Sequence, residues 1–154
     1  MLARDPDQGN IIKPATRREA TAGLELENQG FYSDLIRGPK GIEFYDGNRI
    51  PLDVKTPYGD YFKVTNTNEN PPRGRGIGDA IFDELTKSKT IDGVRHPPGK
   101  FTDPVTGQAV DKIVILDCSY INQSQLNDLR RWLQIDSGLT NNQLSRIIEV
   151  NVIK

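Results

Sequence analysis

Apolar positions along the chain fall into helical and strand periods. From Ala15 to Asn28 the spacing is helical: Ala20 and Leu24 share one face, and Glu19, Ala22, Gly23 and Leu26 lie together on an adjoining one. Pro14 suits the first turn, and Gln29-Gly30 supplies a glycine stop. After an apolar connection at 31–36 and a loop at 37–41, Ile42-Glu43-Phe44-Tyr45 and Ile50 to Thr56 flank Asp46-Gly47-Asn48, a β-hairpin pattern ended by Pro57 and Gly59. Ile113-Val114-Ile115-Leu116 is a run of four apolar residues, three of them β-branched, as expected of a strand buried on both faces. Asn122 or Ser124 can cap a helix to about Ile135 with Leu126, Leu129, Trp132 and Leu133 inward, and Ser137-Gly138 closes it. Arg146 to Ile153 alternates as a last strand.

Residues 58–110 interrupt this order. Asn66 to Gly76 is loop by composition, Ile77 to about Lys87 has a helical apolar stripe, and Val94 to Gly107 is again expected to be loop. A long loop-rich segment inside a domain is usually functional or mobile. The expected order is helix, strand, strand, insertion, strand, helix, strand: an α/β (α+β) chain with a mixed sheet flanked by helices. Residues 1–13 read as an irregular lead-in or linker, and 14–154 as one domain.

Composition removes several classes of chemistry. The chain has 154 residues and a formal net charge of −1, so no global basic field draws it to nucleic acid; such contacts must come from a local patch. One cysteine, Cys118, allows neither an intramolecular disulfide nor a zinc cluster, and a buried thiol is its expected state. One histidine, His96, cannot build a two-histidine ribonuclease site. No run of 18 apolar residues predicts a membrane span, and residues 1–6 lack the apolar core of a signal peptide.

Within this frame, Asp53-Val54-Lys55 carries chemistry. A strand sends residues i and i+2 to one face, so an acid and a lysine point the same way from a segment that otherwise wants burial. Chance alone gives roughly one acid-x-Lys in such a chain, so the context has to carry the meaning. Metal-assisted phosphodiester cleavage needs carboxylates to hold the ion and benefits from a cation beside the attacked phosphate. Glu43 and Asp46 compete for the second acid. If Asp46-Gly47-Asn48 is a three-residue loop, Tyr45 pairs with Arg49 and Glu43 with Pro51, on the face of Asp53 and Lys55. If Gly47-Asn48 is a two-residue loop, Glu43 pairs with Leu52 and faces away, and Asp46 takes the site face. Asp-Gly-Asn suits the three-residue turn and favours Glu43, with Asp46 as a turn residue. Glu19 is the candidate acid from the first helix.

The segments Arg18-Glu19-Ala20-Thr21-Ala22-Gly23-Leu24-Glu25-Leu26-Glu27, Glu43-Phe44-Tyr45-Asp46 and Asp53-Val54-Lys55-Thr56-Pro57 resemble the PD-(D/E)xK nuclease superfamily. They are closer still to the C-terminal toxin domains of bacterial contact-dependent growth-inhibition and related polymorphic toxin systems. The likeness covers 17–57 in motif, 112–152 in topology, and 58–110 hardly at all. It implies a restriction-endonuclease-like α-β-β-β-α-β core with an insertion at about 58–110. It also implies a catalytic set of Glu19, Glu43, Asp53 and Lys55, with Glu43 and Asp53 as ligands of a divalent metal: Mg²⁺ first, Mn²⁺ or Zn²⁺ as alternatives. The Pro-Asp that names the superfamily is absent from the hairpin before Asp53-Val54-Lys55, and Glu43 stands in for that aspartate. The implied protein is a monomeric toxin domain, delivered as part of a larger secreted or cell-surface protein. It would cleave tRNA or DNA in the target-cell cytoplasm and be blocked by a cognate immunity protein.

For the substrate, Pro71-Pro72-Arg73-Gly74-Arg75-Gly76 reads as a phosphate-binding loop in which Arg73 and Arg75 fork onto phosphates, extended by Arg17, Arg18 and Lys40. Tyr58 and Tyr61 are candidates for base stacking, against a plain core role. Arg130 and Arg131 read as a solvated helix face. Two other readings remain: a non-catalytic binding or immunity module with Asp53 and Lys55 as a structural salt bridge, and a metal-independent ribonuclease using His96 and a lysine.

Overall fold

A computed structural model describes residues 20–24, 26–27, 32, 34–59, 62–65 and 76–151. The lead-in, Arg17, Arg18, Glu19, Tyr61, Arg73 and Arg75 lie outside them. The described chain is mixed α+β. Helix α1 covers 20–24 and 26–27, followed by strands β1 (Ile36–Arg37), β2 (Phe44–Tyr45) and β3 (Pro51–Lys55). Helix α2 (Ile77–Thr86) precedes β4 (Lys89–Ile91), β5 (Val94–His96), β6 (Lys100–Thr102), β7 (Ala109–Asp111) and β8 (Ile113–Asp117). Helix α3 (Gln123–Arg131) runs into a π-helical turn, Trp132–Asp136, and α4 (Asn141–Leu144) leads to β9 (Ile147–Val150).

The main sheet has the order β1-β2-β3-β8-β9; β1, β2 and β3 are antiparallel, and β3-β8 and β8-β9 are parallel. Strand β1 is a correction, since 31–41 read as connection and loop; Ile36 pairs with Tyr45 and adds a strand to the edge. The expected run of apolar residues at 113–116 forms the middle of the sheet, where Val114, Ile115 and Leu116 are fully buried. Alternation splits the sheet between two cores. Leu52, Val54 and Ile115 face Ala22, Leu26 and Phe44. Val114 and Leu116 face Ile81 and Leu85 of α2 and Leu126, Leu129 and Leu133 of the α3 segment. Asp53 pairs with Val114 and Lys55 with Leu116, so this acid and lysine share the α2 face. The Gly23 position in α1 has a packing cause: a Cβ there would lie 2.6 Å from Cζ of Phe44.

The expectation of loop from Val94 to Gly107 fails. Strands β4 and β5 form one ribbon and β6 and β7 another. The first turns at Asp92-Gly93, with φ of 49° and 81°, the left-handed pair that an Asp-Gly hairpin turn requires. Strands of three residues are too short to show alternation, so the turn chemistry was the legible part. Asn122 does cap α3: its side chain accepts the Gln125 N–H at 2.8 Å, and the Gln125 side chain accepts the Asn122 N–H at 2.9 Å.

Candidate active site

Hairpin register decides which acid faces Asp53, and it matches neither expected loop. Tyr45 pairs with Pro51 and Phe44 with Leu52, leaving five residues, 46–50, between the strands. Asp46 holds that turn: its Oδ1 accepts the N–H groups of Asn48 at 2.8 Å and Ile50 at 2.9 Å, while Arg49 sits at φ 58°. The turn reading of Asp46 therefore stands. The pairing of β2 with β3 ends at Phe44 and Leu52, one residue short of Glu43, whose charge nevertheless acts on Lys55. The Glu43 N–H donates to the Leu52 carbonyl at 3.2 Å, and its Oε2 accepts the Val54 N–H at 3.1 Å, which pins the side chain across β3.

Asp53 is 3% exposed. Its Oδ2 lies 3.2 Å from Nζ of Lys55 as a charge contact, without an aligned hydrogen bond. Lys55 also lies 3.7 Å from Oε1 of Glu84, a buried residue of α2. Glu84 gathers two further lysines: Lys89 from β4 on Oε1, and Lys112, 3% exposed and one residue before β8, on Oε2. One buried carboxylate thus joins ammonium groups from three separate parts of the chain. Burial would lower the Lys55 pKa, but the charges of Asp53, Glu84 and Glu43 outweigh it and raise it above the ordinary value. Burial would raise the Glu84 pKa, and Lys55, Lys112 and Lys89 outweigh that and bring it down to about 2. Lys55 and Glu84 are therefore both charged near neutral pH. A compact charged cluster in a largely buried setting is costly to assemble unless fully paired or put to use.

His96 borders the cluster and is occupied. It is buried at the end of β5, not in a loop; its Nδ1 accepts the Thr102 N–H at 2.9 Å, and its ring stacks on Phe101 with centroids 4.6 Å apart. Burial, then Lys112 and Lys89, lower its pKa, which keeps the imidazole neutral. Cys118 is buried as expected; burial, then the charges of Glu149 and Asp117, push its thiol up to about 12. Such a thiol is no nucleophile at neutral pH. Arg130 pairs with Glu149 at 2.6 Å and Arg131 with Asp128 at 3.1 Å, as a solvated helix face would. Lys40 reaches Asp92 at 3.7 Å, and Tyr58 bridges in parallel to Tyr120.

Of the expected site residues, Asp53 and Lys55 share one face and Glu43 lies beside β3 with its charge acting on Lys55, while Glu19, Arg18, Arg73 and Arg75 lie outside the described residues. The described turns of α1 pack on the Leu52 and Val54 face, opposite Asp53 and Lys55. A side chain from that helix would meet the pair only around an edge or end of the sheet. Among the described residues, no three His, Cys, Asp or Glu side chains converge as a metal-binding group. The Asp53 and Glu43 carboxylates beside β3, with a buried Asp53 oxygen that lacks an aligned donor, nevertheless suit the ligands of a hard cation. Glu84 and Lys112 were missed by the sequence reading, though each left a trace. Glu84 falls seven residues after Ile77 and three after Ile81, inside the apolar stripe of α2, and Lys112 directly precedes the apolar run of β8.

Comparison with protein-family models, curated proteins and solved structures gives no match to this chain.

Proposed function

We propose that the protein is a metal-dependent phosphodiesterase that cleaves nucleic acid, with tRNA as the favoured substrate and DNA as the alternative. The observation that carries the reading is the largely buried contact of Asp53 with Lys55 on β3, with Glu43 near enough for its charge to act on Lys55. Glu43 and Asp53 would hold the metal. The ion would supply an activated water and neutralise charge on the phosphate. Lys55 stays protonated and can stabilise the negative charge that grows on the phosphate oxygens. The order of a helix, a three-stranded meander and a parallel strand–helix–strand unit is compatible with a restriction-endonuclease-like core. On this reading the chain acts as a toxin in a competing bacterium and is neutralised by a cognate immunity protein.

One observation favours a second reading. Among the described residues, Asp53 and Glu84 are paired with Lys55, Lys89 and Lys112, as a structural salt-bridge network in a non-catalytic binding module would be. Incubation with total tRNA and with plasmid DNA, with Mg²⁺, Mn²⁺ or Zn²⁺ and with EDTA, separates the two. Metal-dependent cleavage lost in folded Asp53→Ala and Lys55→Ala variants is expected. A folded wild-type protein that cleaves neither substrate with any of the metals refutes the nuclease reading.

A further inference from the structure

Lys55 has a flexible four-carbon stem, yet its ammonium must be fixed to act on one phosphate oxygen. Asp53 holds that ammonium from one side at 3.2 Å, and a second contact is needed to fix its direction. The second carboxylate in reach comes from α2, in the segment between β3 and β8 that the sequence likeness does not cover. Glu84 cannot drift. Its Oε2 is tied to Lys112, a buried group on the same sheet face as Asp53 and Lys55, and Ile81 and Leu85 lock α2 onto the sheet. Its Oε1 meets both Lys89 and Lys55. A buried ion pair of this kind gains little stability over apolar packing, so its retention points to a use.

We propose that Glu84 is a positioning residue: anchored by Lys112, it fixes the Lys55 ammonium beside Asp53, so that the helix between β3 and β8 completes the site. The proposal rests on the phosphodiesterase reading for its functional part and on geometry for the rest.

The test is Glu84→Gln in the full chain, with the double variant Glu84→Gln/Lys112→Met, which removes the stranded buried ammonium, if the single variant does not fold. Two readouts keep the parts separate. In metal-free protein, NMR of the Lys55 Hε methylene protons reports whether the side chain is fixed: inequivalent signals are expected in the wild type and averaged ones in the variant. In cleavage assays kcat is expected to fall about tenfold or more with KM not raised, the size typical of losing a supporting partner. A carboxylate that only repelled substrate would give the opposite result, tighter binding with kcat unchanged, and that overturns the proposal. So do Lys55 signals that are the same in both proteins. If the wild type proves inactive while the Lys55 signals collapse in the variant, positioning stands and the phosphodiesterase reading falls.

Discussion

Removing Glu84 and removing Asp53 should have very different effects on stability, because the two acids leave different charges behind. Glu84→Ala strands Lys112, which is 3% exposed and whose ammonium has Glu84 as its ion-pair partner among the described residues. Breaking a buried pair from one side costs about 3–5 kcal/mol. An unfolding entropy of roughly 2 cal/mol/K per residue gives about 0.3 kcal/mol/K for 154 residues, so Tm should fall by about 10–15 °C. Asp53→Ala leaves Lys55 within the field of Glu84 and Glu43 and partly in solvent, so no cation is stranded. Its cost should stay within about 1 kcal/mol, or the variant should be more stable, as happens when a strained functional group is removed. Thermal unfolding followed by circular dichroism at pH 7 in EDTA measures both. If Asp53→Ala loses as much as Glu84→Ala, Asp53 is a member of a structural salt-bridge network, and the argument that the pair is held for use collapses.

Three further outcomes follow from other contacts. Hydrogen bonds from Arg49, at 2.6 Å and 2.9 Å, hold Asp103 down to about 2 against burial, and Glu84 is likewise depressed. A depressed acid gives stability that is present above its unfolded pKa and lost as pH falls through the folded one, so urea midpoints should drop between about pH 4.5 and 2; Asp103→Asn should lower the neutral-pH midpoint and flatten that slope. A curve as steep in Asp103→Asn as in the wild type would contradict the Asp103 share. Gly78→Ala should destabilise, because a Cβ there meets Cε3 of Trp132 at 2.7 Å and the Val64 carbonyl oxygen at 2.8 Å; overpacking of about 1–3 kcal/mol exceeds the helix gain of about 1 kcal/mol, and an unchanged urea midpoint would count against the close approach. His96→Asn should keep metal-dependent cleavage per folded molecule, since His96 is neutral and its Nδ1 is engaged by Thr102; loss of cleavage without unfolding would restore the histidine to the chemistry.

The legible parts of the fold were those with a strong period or a strong stop. The β8 run, the Asn122 cap and the α2 stripe each carry several agreeing residues, and each formed where expected. The short strands β1, β4, β5, β6 and β7 escaped, because they owe their pairing to neighbours and turns rather than to their own pattern, while the equally short β2 was legible through its hairpin. The ribbon turn at Asp92-Gly93, just before the segment expected to be loop, is a signal present in the sequence that the expectation did not use.

Hairpin register was not legible in the turn. The three-residue turn expected from Asp46-Gly47-Asn48 pairs Tyr45 with Arg49, whereas Tyr45 pairs with Pro51. A shift of two residues keeps each paired side chain on its face, because a strand has period two. Glu84 has no strand pairing to place it. Its place in the apolar stripe of α2 signals burial of an acid, but only the docking of that helix over β3 and β8 says which lysines receive it. The candidate centre is therefore readable where it lies on one hairpin and unreadable where it is closed by a segment distant in sequence. That is why the shared strand face of Asp53 and Lys55 could be read from the sequence, while the meeting of Lys112 and Glu84, 28 residues apart, could not.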